Sequence, residues 1–149
     1  MRIEDEIKQK TFKDPYNKLV VNLLYTHSYI VSNQSALFKP LGLSPEQYNV
    51  LRILRGQHGK PITVSSIQER MLNKMSNASR LVEKLKQKDL VLREECPSDR
   101  RQVDIMITAK GLKVLEELET AVYAFNRDIV KLTETETNQL NALLDKLRG

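Results

Sequence analysis

Residues 75–108 change hydrophobic period part-way along, and no other feature limits the possible folds of the chain as much. Across residues 75–88 the apolar side chains Ala78, Leu81, Val82 and Leu85 recur at threes and fours, on one face of a predicted helix. The opposite face carries Asn73, Ser76, Asn77, Arg80, Glu83, Lys84 and Gln87. From residue 90 the period becomes two. Residues 90–95 form one candidate strand and residues 102–107 another, with Val103, Ile105 and Ile107 on one side and Gln102, Asp104 and Met106 on the other. Between them lies Cys96-Pro97-Ser98-Asp99-Arg100-Arg101, a polar tip ending in two arginines. Side chains of this kind can donate to phosphates and read base edges.

Upstream, Asp14-Pro15 is a helix start, a capping side chain followed by proline at the first helical position. Tyr16, Leu19, Val20, Leu23, Leu24, His27, Ile30, Val31 and Leu37 then recur at threes and fours, predicting a first helix of roughly 24 residues. Pro40-Leu41-Gly42 interrupts the pattern. Ser44-Pro45-Glu46-Gln47 is a capping box for a second helix, expected to run to about Gln57 and to bury Val50, Leu51 and Leu54. Thr63 caps a short third helix with Val64, Ile67 and Met71 inward, and Leu72-Asn73-Lys74 is the tight turn before a fourth helix opening at Met75. Two short helices joined by a few residues match the helix-turn-helix pattern, and the hairpin after them makes it a winged one.

After the hairpin, Thr108 caps a fifth helix with Leu112, Leu115, Leu118, Val122, Phe125 and Ile129 as its apolar stripe, and Gly111 is expected to cost little there. Thr133-Glu134-Thr135-Glu136 is a second capping box, opening a last helix with Leu140, Leu143, Leu144 and Leu147 on one stripe. The expected fold class is all-α with a small β-hairpin wing. One domain spans residues 1–149, with a winged helix-turn-helix at 40–108 and dimerisation helices at 14–39 and 109–149. The first dozen residues are polar and expected to fray.

Composition narrows the function classes. The net charge of +5 is mild. Residues 50–93, however, hold ten Lys or Arg against three acids, a net +7 that suits a polyanion and also suits an ordinary solvated helical surface. Cys96 is the only cysteine, so no disulfide forms within the chain, which is compatible with a cytoplasmic location. No run of 18 apolar residues occurs, so no membrane span is expected, and residues 1–13 lack the apolar core of a signal peptide. Two histidines and one cysteine, well separated, show no metal-ligand spacing. No phosphate-cradling glycine loop and no nucleophile–base arrangement stands out, so neither a cofactor nor enzymatic activity is expected.

The chain resembles the MarR family of bacterial transcription regulators over nearly its whole length. The resemblance is carried by Leu43-Ser44-Pro45-Glu46-Gln47-Tyr48, by Ser79-Arg80-Leu81-Val82-Glu83-Lys84-Leu85, and by Asp99-Arg100-Arg101 followed by Val103, Ile105, Ile107-Thr108 and Gly111. It implies a homodimer with interlocked terminal helices, a fourth helix in the DNA major groove, and a wing arginine in the minor groove. One departure is visible: the family often has glycine where this chain has Asp89, at a helix end that favours the left-handed conformation.

The candidate DNA contacts are Ser76, Asn77, Ser79 and Arg80 toward base edges, with Lys84 and Gln87 toward phosphates. At the wing, Arg101 is assigned to the minor groove, Arg100 to a phosphate, and Asp99 to holding an arginine in place. The plain alternative for both groups is a solvated polar surface. His27 interrupts the stripe of the first helix, where a buried structural histidine is the expected reading and effector contact the sharper one. Tyr48 lies near where the resemblance implies a pocket for a small aromatic or phenolic effector. The expected function is therefore a DNA-binding transcriptional regulator, acting as a repressor on a near-palindromic operator and released by an effector. The alternatives are a winged-helix module for protein–protein contact and a redox-responsive regulator acting through Cys96.

Overall fold

The computed structural model describes residues 1–96 and 99–149, and the side chains of residues 1–94 and 103–149. Seven α-helices and one short three-stranded sheet follow one another along the described chain. Helix α1 (Ile3–Glu6) is a single turn. Contrary to the expectation of fraying, it packs back on α2 (Pro15–Phe38): Ile3 is buried, Lys18 Nζ lies 2.6 Å from a Glu4 oxygen, and the Tyr25 hydroxyl donates to Glu6 at 2.5 Å. The hydrogen bond from Lys18 holds the Glu4 carboxyl below its ordinary value. Helix α2 starts where the sequence predicts, Asp14 accepting the Asn17 amide at 2.8 Å.

The core is built around α3 (Pro45–Arg55), which contacts α2, α4 (Val64–Arg70), α5 (Ala78–Lys86), α6 (Ala109–Ile129) and the sheet. Its start is the expected capping box, with Ser44 and Gln47 exchanging hydrogen bonds at 3.2 and 2.9 Å. Helix α3 ends at Arg55, two residues short of expectation, where the chain turns through left-handed residues His58 and Gly59. Val50, Leu51 and Leu54 point into a core that also takes Ile67 and Met71 from α4 and its end, Val82 and Leu85 from α5, and Leu115 and Leu118 from α6. Truncating any of the fully buried leucines to alanine would cost about 2–5 kcal/mol.

The sheet has strand order β1-β3-β2, with β1 (Ile62–Thr63), β2 (Val91–Cys96) and β3 (Asp99–Ile107) all antiparallel to their neighbours. The hairpin is the predicted one, with β2 shifted by one residue and β3 starting three residues earlier than expected. Strand β1 was not predicted. It pairs Ile62 with Ile105 and Thr63 with Asp104, closing the sheet over the start of α4. Thr108 caps α6 as expected, accepting the Gly111 amide at 2.9 Å. The glycine matters more than predicted: a Cβ there would sit 2.3 Å from the Leu90 carbonyl oxygen, so the side-chain-free surface lets α6 lie against the β2 entrance. Leu112 is exposed, and Val114 packs against the core instead.

Of the terminal helices, α2 and α7 (Glu134–Arg148) turn apolar residues outward, whereas Leu115, Leu118 and Val122 of α6 are buried in the core. Leu19, Val20 and Leu24 on α2 are exposed, as is Tyr123 on α6. Helix α7 has no buried residue and exposes Leu140, Leu143 and Leu147. Its expected capping box, Thr133 with Glu136, is formed.

Candidate nucleic-acid interface

Helix α5 is amphipathic in the strict sense that burial demands. Ala78, Val82 and Leu85 are in the core and Leu81 packs against it, so Ser79, Arg80, Lys84 and Gln87 are turned outward and exposed. The helix starts at Ala78, three residues later than the sequence predicts. The reason lies in two asparagines. Asn73 Oδ1 accepts the Met75 amide at 3.0 Å, and Asn77 Oδ1 accepts the Arg80 amide at 2.9 Å. Each side chain offers the backbone a local alternative to helical hydrogen bonds, so residues 73–77 stay a turn.

That turn is held at both ends by side chains of other elements. Gln68 on α4 donates from Nε2 to the Lys74 carbonyl at 3.0 Å and accepts the Ala78 amide on Oε1 at 3.0 Å. Asn49 on α3 accepts the Leu72 amide at 2.9 Å. The Lys74 ammonium donates to the Glu69 carbonyl. Neither Gln68 nor Asn49 carried a signal in the sequence, because their roles depend on which element lies beside them. The result is a fixed N-terminus of α5, whose positive dipole end favours an anion although the Ala78 and Arg80 amides are already bonded.

The candidate contacts are not equivalent in this geometry. Arg80, Lys84 and Gln87 are exposed on one helix face. Asn77 has its oxygen engaged in the cap, leaving its amide nitrogen as the group it offers outward. The Ser76 hydroxyl is buried and has no hydrogen-bond partner among the described residues, so it lies at the base of the turn. Arg93 on β2 donates to Glu83 on α5 at 3.1 Å, tying the hairpin to the helix, although an ion pair this open to solvent adds little stability. The assignments to Asp99, Arg100 and Arg101, and the redox reading of Cys96, fall on side chains outside those described.

The two proposed effector residues are not brought together in the single chain. Tyr48 is buried, its ring 4.9 Å from that of Phe38, and burial pushes its phenol up. His27 is exposed on α2, where a buried position was expected. It lies eleven residues before Phe38 on the same helix, a rise of roughly 16 Å. A cavity of about 100 Å³ lies elsewhere, between α1 and α2, lined by Ile3, Glu6, Asn22, Tyr25 and Tyr29. Near Tyr48, Arg55 forms a two-pronged hydrogen bond to Glu119, both at 2.8 Å, joining α3 to α6. That bond holds the Glu119 carboxyl below its ordinary value.

Comparison with known proteins places this geometry among relatives. The MarR family model matches residues 43–103, from the residue before the α3 cap to the middle of β3. The transcriptional repressor MdtR of Bacillus subtilis is 36% identical over 107 residues, covering 71% of this chain and 68% of the relative. The repressor IacR of Pseudomonas putida is 29% identical over 124 residues, covering 83% of this chain and 73% of the relative. Among solved structures, a MarR transcription factor from Planctomyces limnophilus superposes with a TM-score of 0.69 at 29% identity, covering 91% of this chain and 98% of that one. A MarR-like regulator from Bacillus cereus shares the fold, with a TM-score of 0.77 at 23% identity, covering 88% of this chain and 94% of that one.

Proposed function

Because the chain belongs to the MarR family of winged helix-turn-helix transcriptional regulators, and is thus a sequence-specific DNA-binding protein rather than an enzyme, we propose that it is a repressor whose α5 enters the major groove as the reading helix. The observation that carries this reading is the fixed start of α5. Gln68 and Asn77 hold its first turn, while Val82 and Leu85 anchor its other face, so Arg80 stands out from a rigid base. In helix-turn-helix proteins that end of the second helix reads base edges. We assign Arg80 to a guanine, Ser79 and the Asn77 amide nitrogen to neighbouring edges, and Lys84 and Gln87 to phosphates. Ser76, its hydroxyl buried, is left out of the base contacts. On the wing, the assignment of Arg101 to the minor groove, Arg100 to a phosphate and Asp99 to orienting them rests on the sequence pattern.

Repression follows by analogy with the relatives named as repressors. The operator would be a near-palindrome read by a homodimer. Effector control is proposed at the Tyr48 end of the α2–α3 packing: a small aromatic or phenolic molecule reaching Tyr48 must part it from Phe38, and so shift the reader relative to the long helices. His27 would then be a separate surface contact.

The test is selection of bound fragments from random duplex DNA, followed by titration of the selected site at several salt concentrations. A specific site whose affinity falls steeply with salt supports the reading. An absence of duplex binding at low salt would favour a winged helix used for protein–protein contact.

A further inference from the structure

The turn before α5 carries two large apolar side chains in the open. Leu72 is 87% exposed and Met75 92%, the latter the most exposed large hydrophobic residue among those described. A single exposed leucine is ordinary. Two, three residues apart in a turn whose backbone is pinned, are not free to fold inward. The Leu72 amide is held by Asn49 and the Met75 amide by Asn73, while Gln68 ties down Lys74 and Ala78 on either side of Met75. Met75 stands two residues before the α5 cap and five before Arg80.

The surroundings decide what could meet this edge. Arg70, Lys74 and Arg80, close to it in the chain, are exposed, as is Lys84 further along α5, and Glu69 is the one acid among residues 69–80. A purely apolar partner would leave these charges facing it without counter-ions. A polyanion that also offers small apolar groups fits both features, and the major groove supplies them as the 5-methyl groups of thymine between flanking phosphates. We propose that Leu72 and Met75 form an apolar edge that reads thymine in the half-site entered by α5. The inference rests on the assignment of α5 as the reading helix. Methionine suits the task, since its unbranched, polarisable side chain adapts to a small target.

The test uses the intact protein and the duplex it selects from random DNA. Each thymine of that site is replaced in turn by deoxyuridine, which keeps every hydrogen-bonding group and removes only the methyl. The wild type is expected to lose affinity about fourfold at one or two thymines per half-site, the value of burying about one methyl group. In Met75→Ser and Leu72→Ser proteins, thymine and deoxyuridine at those positions should bind equally. Arg80→Ala should keep the methyl sensitivity while losing discrimination at another base pair. The proposal is overturned if the wild type ignores deoxyuridine at every thymine, or if its sensitivity survives both serine substitutions. It is also overturned if those substitutions alter the oligomeric mass in light scattering and leave the deoxyuridine response untouched, since the edge would then be a protein contact. If no duplex is selected at all, the reading of α5 fails with it, and that outcome is distinct from the others.

Discussion

The side-chain oxygen of Gln68 accepts the first backbone amide of α5, that of Ala78, at 3.0 Å, while the same carboxamide donates to Lys74 at 3.0 Å. One side chain on α4 therefore sets where α5 begins and how the turn before it runs. Gln68→Ala should destabilise the protein by about 1–3 kcal/mol, the cost of leaving the part-buried Ala78 amide unpaired. Urea denaturation measures the loss, and hydrogen exchange should accelerate first at Ala78. Exchange there at the wild-type rate would show that Asn77 alone holds the start of the helix.

Gly111 sits against the Leu90 carbonyl with no room for a methyl group. Gly111→Ala should cost about 3 kcal/mol, because the obstacle is backbone and cannot swing aside. Thermal unfolding should register a drop of several degrees. A melting temperature within a degree of wild type would mean that α6 moves off the sheet entrance cheaply.

Asp89 occupies the left-handed region, φ +59°, where the chain leaves α5 and the Leu90 amide reaches back to the Leu85 carbonyl. Asp89→Gly should therefore stabilise the protein by about 1 kcal/mol, the strain an L-residue carries there. Its pairing with Lys110, 3.7 Å away and open to solvent, offsets little of that. Chemical denaturation checks the sign; a destabilised glycine variant would show that the Asp89–Lys110 contact outweighs the strain.

The exposed stripes of α2 and α7 predict a homodimer. Leu19, Val20 and Leu24 on one, and Leu140, Leu143 and Leu147 on the other, leave apolar surface uncovered in the single chain. Light scattering at micromolar concentration should give twice the chain mass, and Leu143→Glu combined with Leu147→Glu should shift it toward the monomer. A monomeric wild type would contradict the assignment of these helices.

What the sequence made legible was local. Asp14, Ser44, Thr63, Thr108 and Thr133 each cap the helix they were expected to cap, because a cap is decided within four residues. The alternation of Val103, Ile105 and Ile107 marked β3 for the same reason. What escaped was settled by distant neighbours. Strand β1 is two residues long and exists by pairing with Asp104 and Ile105, more than forty positions away. The late start of α5 turns on Asn73 and Asn77 competing with the helix, and on Gln68 reaching from α4. Gly111 read as harmless because its constraint, the Leu90 carbonyl, lies on another element. In the site, Arg80 was visible as a cation on the polar face of an amphipathic pattern, whereas the exposure of Leu72 and Met75 needed the turn itself.

Arg80, at the fixed start of α5, is the residue assigned to read a base. The most direct measurement compares wild type and Arg80→Ala on the selected operator and on a scrambled duplex of equal length and composition, at one salt concentration. The expected loss is one to two orders of magnitude on the operator, roughly the 1–3 kcal/mol of a specific base contact, and much smaller on the scrambled duplex. Equal losses on both duplexes would make Arg80 a phosphate contact, and unchanged operator affinity in a folded variant would contradict the assignment of α5.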